Sequence, residues 1–334
     1  MRIAVDAMGG DYAPAEIVKG AVCAASLYDV DITLVGDEQA IKAHLPKSLD
    51  GPGRIEIRHT PEFIHMAESV DAVRTKPDAS VVVAAVMVKS HDADAMLSVG
   101  NTAAAMAVAS LKLGRIPGIE RPAIAAVIPN KAGSTLLLDA GATADCTVNQ
   151  LVQFAVMGSI YAEKIMHKPD PKVALLSIGE EPSKGNEVVK AAHAEIRKVG
   201  LNFIGNVEGR DLFTGVADVI VADGFVGNVA LKVSEGMADF VLGEFAEVGR
   251  SVLGIVPLLL LKPLLRKRFQ RYDYAQYGGA PLLGVNGVCI IGHGRSNAKA
   301  VANAIRTAKE SVESRIIENI KTSLPIRDGT RAAG

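Results

Sequence analysis

The 334 residues include 36 Lys and Arg against 37 Asp and Glu, with 49% apolar residues, no Trp, six Tyr and eight Phe. That length suits one large α/β domain, or two lobes sharing a sheet, around an aliphatic core. A formal charge of −1 excludes bulk electrostatic binding of nucleic acid, and Cys23, Cys146 and Cys289, in no CxxC or Cys/His cluster, exclude a disulfide framework and an obvious structural zinc site.

The cysteines lie inside apolar runs and are expected to be reduced core residues of a cytoplasmic protein. Arg2-Ile3-Ala4-Val5-Asp6 opens the chain without an apolar segment behind a basic end, so no secretory signal is expected. No apolar run reaches the roughly 18 residues that mark a membrane span. In chain order, a β-rich run at 3–6 precedes a helical period at 15–27, and runs at 32–35 and 54–59 precede a helix at 81–89. A strand at 95–98 feeds a helix at 102–113; strands at 123–128 and 135–139 feed one at 148–166; a strand at 173–177 feeds one at 186–199. Strands at 202–205 and 219–222 lead to a helix at 228–248, and a strand at 288–291 leads to one at 297–320. Strands alternating with helices predict a doubly wound α/β fold, its sheet mostly parallel and its connections crossover helices. The expected organisation is a single α/β domain over 1–324, a basic, Leu-rich helical insertion at about 249–272, and a frayed tail over 325–334.

Ligands of open α/β sheets bind beyond the carboxyl ends of strands, where helix N-termini favour anions. Five Gly-rich turns fall there: Asp6-Ala7-Met8-Gly9-Gly10-Asp11, Ser98-Val99-Gly100-Asn101-Thr102, Ser177-Ile178-Gly179 with Ser183-Lys184-Gly185-Asn186, Asp223-Gly224-Phe225-Val226-Gly227-Asn228, and His293-Gly294-Arg295-Ser296-Asn297. Any one is an ordinary β–α turn; five together predict a phosphate-type pocket. Neither the P-loop nor the dinucleotide fingerprint is present. From the residues alone, the reading is an anion-binding α/β enzyme with no reaction assigned.

The same turns, with Lys184-Gly185-Asn186-Glu187 and Tyr277-Gly278-Gly279-Ala280, resemble the bacterial acyl-ACP:phosphate acyltransferases of phospholipid synthesis, in order and spacing, from Met1 to about Glu318. The resemblance implies a homodimer with a fold like phosphotransacetylases and isocitrate-dehydrogenase-type enzymes. It implies transfer of an acyl group from acyl carrier protein to inorganic phosphate, without a redox cofactor. One departure is Ala103, where the family usually has Gly.

For that chemistry the catalytic candidates are Lys184, Asn228, Asn101 and His293. Lys184 neutralises phosphate or, if buried, becomes an acyl-accepting amine. The asparagine amides donate to the oxyanion, Asn228 foremost as the residue opening a long helix, and His293 protonates the leaving thiolate. Backbone amides of Gly9, Gly10, Gly100, Gly227 and Gly294 cradle phosphate, with Thr102, Asn186 and Ser296 beside them. Asp6, Asp11 and Asp223 line the same turns as helix caps or turn organisers, and Asp139 has the same character; their spacing implies no metal.

Between 248 and 272 no acid occurs, while Lys262, Arg266, Lys267 and Arg268 interleave with Leu258, Leu261 and Leu265. The absence of acids favours contact with anionic lipid at the inner face of the cell membrane, or with acyl carrier protein, over the plainer reading of a dimer-interface helical pair, with which it can coexist. Rival readings are a phosphotransacetylase acting on acyl-CoA, a non-catalytic peripheral membrane scaffold and, weakest, a nicotinamide dehydrogenase.

Overall fold

The computed structural model describes residues 1–248 and 278–323. The insertion, with Leu258, Leu261, Lys262, Leu265, Arg266, Lys267 and Arg268, and the tail at 325–334 therefore lie outside the described residues. The first half of the chain runs β1 (Arg2–Asp6), α1 (Ala15–Tyr28), β2 (Asp31–Gly36), α2 (Glu38–Lys42), β3 (Ile55–His59), α3 (Ala72–Thr75), α4 (Ser80–Lys89), β4 (Ala95–Ser98) and α5 (Thr102–Val108). A hairpin of β5 (Ala123–Asn130) and β6 (Gly133–Leu138) leads to α6 (Val148–Lys164), β7 (Val173–Leu176), α7 (Glu187–Ile196), β8 (Phe203–Val207), β9 (Val219–Val221) and α8 (Gly224–Val248). Then come β10 (Ala280–Leu283), β11 (Val288–Ile291), α9 (Ala298–Glu313) and α10 (Ile316–Ser323).

The described strands form one eleven-stranded sheet in the order β3-β2-β1-β4-β11-β10-β5-β6-β9-β7-β8. Most neighbours are parallel, as expected of a doubly wound α/β fold. The exceptions lie in the middle: β10 is antiparallel to both β11 and β5, and β5 is antiparallel to β6. Three reversals turn β6, β9, β7 and β8 against the direction of β1, β2, β3, β4 and β11. Carboxyl strand ends consequently lie on two opposite rims of the sheet. The five turns read as one set are corrected to two: those after β1, β4 and β11 on a first rim, those after β9 and β7 on a second, which the turn after β6 shares.

Other differences from the sequence reading are local. The strand β10 was not foreseen: Ala280-Pro281-Leu282-Leu283 is four residues between Gly279 and Gly284, which reads as a turn. The helix expected at 102–113 passes into a π-helical turn at Ala109–Leu113, and that at 297–320 is broken by Arg315 in the left-handed region (φ 52). Cys289 is buried, but Cys23 is exposed on α1 and is not a core residue.

One sheet face is covered by α1, α6, α7, α9 and α10, whose apolar residues form a continuous core with Ile3, Leu34, Leu97, Leu136, Leu175 and Ile290. On the other face α4 and α5 cover the first half, and α8 reaches the second through Ala230 and Leu231. Contact between α1 and α9 fixes the turn after β11 against that after β1. At the start of α9, Asn297 accepts from the Ala300 amide (3.0 Å) and Glu16 of α1 from the Ala298 amide (2.8 Å). Gly20 lets the helices approach: a Cβ there would lie 2.5 Å from Val301 Cβ and 2.7 Å from the Ala298 carbonyl. Gly20→Ala is therefore expected to destabilise the fold by about 1–3 kcal/mol, an overpacking cost read by chemical denaturation.

Candidate functional site

The first rim is organised by Asp6, buried at the end of β1, which accepts from Ser80 Oγ (2.6 Å), Ser98 Oγ (2.7 Å), the Met8 amide (3.2 Å) and the Gly9 amide. Gly9 packs on Gly100 so closely that a Cβ would lie 2.9 Å from the Gly100 Cα, and the Gly100 amide donates to Ser98 Oγ (3.3 Å). The Asp11 amide donates to the Gly294 carbonyl (2.8 Å), joining the turns after β1 and β11. Asn101 is fully engaged: Oδ1 caps the Ala104 amide (3.0 Å), and Nδ2 donates to the carbonyls of Met66 (3.0 Å) and Glu68 (2.9 Å).

The second rim repeats the device with Asp139, buried just beyond β6. It accepts from the amides of Ile124 (2.8 Å), Gly141 (3.1 Å), Ala142 (3.0 Å) and Thr143 (2.7 Å). Asp223 caps α8 by accepting from the Val226 amide (2.8 Å), and the Gly227 amide donates to the Asp223 carbonyl (2.9 Å). Asn228 stands exposed beside Gly141, its side-chain amide without a partner among the described residues. On neighbouring β7 the turn carries Lys184, exposed and without an ion-pair partner among the described residues, and Asn186, which caps α7 through the Val189 amide (2.8 Å). Apolar side chains stand out around these groups: Ile178 is 82% exposed and Phe225 65%.

Burial pushes the Asp6 carboxyl above the usual carboxylate range, against the opposing pull of the Ser80 and Ser98 hydroxyls and the Met8 and Gly9 amides. Asp139 is raised for the same reason, against its four backbone amides. Cys146, behind the second-rim turn, is pushed up to about 12 by burial, so its thiol is no nucleophile near neutral pH. Among the described residues, no group of three or more His, Cys, Asp or Glu could hold a metal ion.

A family model described as "Fatty acid synthesis protein" matches residues 1–319. The chain belongs to that family. It is 54% identical over 326 residues to a phosphate acyltransferase of Pelotomaculum thermopropionicum, covering 97% of this chain and 95% of that protein. With a phosphate acyltransferase of Thermodesulfovibrio yellowstonii it shares 45% over 325 residues, 97% of this chain and 94% of the relative. In fold it is similar to a phosphotransacetylase from Streptococcus pyogenes, with a TM-score of 0.61 and 19% identity over 95% of this chain and 94% of that one. It is also similar to 4-hydroxythreonine-4-phosphate dehydrogenase from Klebsiella pneumoniae, with a TM-score of 0.52 and 14% identity over 93% and 99% of the two chains.

Against this family background, several expected contacts need correcting. Asp6, counted with the phosphate-pocket turns, is the turn organiser it was expected to be: it is buried among donors and does not face phosphate. The amides of Gly9, Gly100 and Gly227 are spent on Asp6, Ser98 and Asp223, whereas those of Gly10 and Gly294 have no acceptor among the described residues. Asn101 has no free amide for an oxyanion. Asn228 does not open its helix: α8 starts at Gly224, so Asn228 lies one turn inside and offers its side chain, not a free backbone amide. Lys184 lacks the burial that the acyl-lysine reading required. His293 is exposed and its Nδ1 accepts from the Arg295 amide (3.2 Å), which leaves Nε2 as the outward nitrogen. Ser296 is buried, Thr102 exposed at the start of α5, and Asp11 exposed beside Gly294. Sequence reasoning missed Ser80 and Ser98, which complete Asp6, and the 62–68 segment that Asn101 ties down. Ser80 and that segment carry no Gly-rich signal; Ser98 opens a Gly-rich turn, but nothing local ties it to Asp6, 92 residues away.

Two predictions follow from the carboxylates. A Cβ at Gly227 would lie 1.9 Å from the Asp139 carbonyl, so Gly227→Ala must displace backbone; a loss of at least about 2 kcal/mol is expected in denaturation. The raised Asp6 carboxyl contributes stability that is fully present below the ordinary carboxylate range and is lost as pH rises through its folded value. Asp6→Asn carries no such titration. Denaturation across pH is expected to find its deficit against wild type widest in acid and narrowing as pH rises.

Proposed function

We propose that this chain moves an acyl group from acyl carrier protein to inorganic phosphate, giving acyl-phosphate and free carrier protein, and that the second rim is the reacting centre. The observation that carries the placement is the company kept there: a cation at Lys184 and an amide at Asn228, both without partners among the described residues, and exposed apolar side chains at Ile178 and Phe225. The family relation supports the reaction class.

A thioester is already activated and phosphate is a modest nucleophile, so the enzyme's task is to juxtapose them and stabilise the developing charge. Lys184 holds phosphate as a point charge. A phosphate oxygen adds to the thioester carbonyl carbon, the Asn228 amide donates to the oxyanion, and collapse breaks the C–S bond. The thiolate leaves with the carrier protein and takes a proton from solvent. Ile178 and Phe225 lie against the acyl chain.

The remaining parts of this reading concern assembly. A second copy is expected on α8, where Val229, Val233, Met237 and Phe240 form an exposed apolar row at helical spacing. Among the described residues no helix is long and apolar enough to cross a membrane. The family's place in fatty acid synthesis supports a cytoplasmic enzyme whose product is used at the membrane, with the basic insertion contacting anionic lipid or the carrier protein.

Purified protein with long-chain acyl carrier protein is expected to form acyl-phosphate, detected by mass spectrometry, only when phosphate is present. Asn228→Ala is expected to lower kcat by about 10²-fold or more, the usual cost of one oxyanion donor. Lys184→Ala is expected to raise the KM for phosphate about tenfold or more, from the lost charge-assisted contact. No product from acyl carrier protein, with turnover of acyl-CoA instead, would replace this reading by the transacetylase one.

A further inference from the structure

We infer that His193, acting through Asn206, is a positioning residue that holds the Lys184 turn; the inference deepens the proposed function and rests on its assignment of Lys184. His193 on α7 and Asn206 on β8 are polar groups inside the protein, 4% and 6% exposed, and neither belongs to the Gly-rich turns. His193 Nδ1 lies 2.9 Å from Asn206 Oδ1. On its other side, Asn206 Nδ2 donates to the Glu181 carbonyl (2.9 Å), which also accepts from the Lys184 backbone amide (3.0 Å). The chain of bonds thus runs from a buried imidazole to the backbone of the turn that carries Lys184 on the second rim.

Its direction follows from chemistry. A carbonyl only accepts, so the Asn206 NH2 must face Glu181 and its oxygen must face the ring. His193 therefore carries a proton on Nδ1, the Nδ1–H tautomer when the ring is neutral, and Nε2 is buried without a partner among the described residues. An unpaired buried nitrogen costs free energy. The ring is retained in this orientation by its edge-on contact with Phe203 (centroids 5.1 Å apart) and by its bond to Asn206.

The backbone is shaped for the same end. Between β7 and β8 the register slips, Val173 facing Phe203 but Ala174 facing Gly205, so Ile204 is an inserted residue. One extra residue reverses the alternation of faces beyond it, which turns Asn206 towards α7. Gly205, at φ +98, leaves a gap beside the imidazole: the nearest atom to a Cβ there would be His193 Cε1, at 3.7 Å.

Three variants of the full chain test the relay. His193→Phe keeps a ring and removes the donor. His193→Asn places an amide donor at the position of Nδ1. Asn206→Asp keeps the acceptor for His193 and removes the donor to Glu181. Hydrogen exchange at the Lys184 amide and the KM for phosphate and for acyl carrier protein are measured for each, and ¹⁵N-histidine spectra of the wild type report the tautomer. The expected outcome is an Nδ1–H tautomer at His193. In both His193→Phe and Asn206→Asp, Lys184 amide exchange accelerates and the KM for phosphate rises about tenfold, the worth of one such bond, with the KM for acyl carrier protein unchanged. His193→Asn is expected to restore both to near wild type. Wild-type exchange at Lys184 in His193→Phe and Asn206→Asp, or an Nε2–H tautomer, would overturn the relay. Accelerated exchange in these variants, with the phosphate KM unchanged both there and in Lys184→Ala, supports the relay and removes Lys184 from phosphate binding.

Discussion

Two carboxylates, Asp6 and Asp139, govern how this chain leaves its strands. Each is buried at the end of a strand, where an unpaired charge is very unfavourable. Each is offset by four donors, two hydroxyls and two amides around Asp6, four amides around Asp139. Because most of those donors are backbone groups a few residues downstream, satisfying the carboxylate bends the chain into a tight turn. The neighbouring turns then lie close enough that Gly9, Gly224 and Gly227 have no room for a side chain. Glycine at these points follows from the carboxylates: a Cβ at Gly9 or Gly224 would lie 2.6 Å from Oδ2 of Asp6 or Asp139. What the sequence displays as an anion-binding signature is therefore partly the footprint of turn construction, and free amides must be sought where the carboxylates do not consume them.

The second constraint is direction. The strand β10 pairs with β11 through Ala280 and Pro281 and with β5 through Leu282 and Leu283, two residues on each side. This short antiparallel strand, followed across the sheet by the β5–β6 hairpin, sets the two halves in opposite senses while keeping one sheet. Function inherits that geometry. Residues that look equivalent in sequence, such as Asn101 and Asn228, end on opposite rims with opposite fates: Asn101 ties down the chain at Met66 and Glu68, and the Asn228 amide, beside Gly141, has no partner among the described residues.

The fold was largely legible because its signals are local and repeated. Continuous apolar runs such as Ile3-Ala4-Val5 and the 3.6-residue period of α1, α6 and α9 survive any arrangement of the whole. Strand direction is different. The two residues between Ala123–Asn130 and Gly133–Leu138 are too few for a parallel crossover and do record that one runs against the other; the two reversals at β10 leave no such sign, since alternation looks alike in both senses. The site was legible at Lys184, Asn186, Asp223 and Asn228, which stand in Gly-rich turns. It was illegible at Ser80, Ser98, His193 and Asn206, whose roles depend on partners 13 to 92 residues away in the chain. The bulge at Ile204 that aims Asn206 leaves a single mark in residue type, Gly205 within the strand run.

The same geometry bears on whether the acyl group passes through the enzyme. A covalent route needs a nucleophile activated by burial, by a neighbouring base or by a depressed pKa. Lys184 is exposed, and the thiol of Cys146 is driven up to about 12 by burial, so neither is arranged for attack. Direct transfer asks less: a cation to gather phosphate, a donor for the oxyanion and an apolar approach for the acyl chain. Those are the groups the second rim leaves unsatisfied after its carboxylate has consumed the backbone amides around it. A thioester carries its own activation, and a site of modest, exposed polar groups suffices to spend it on phosphate.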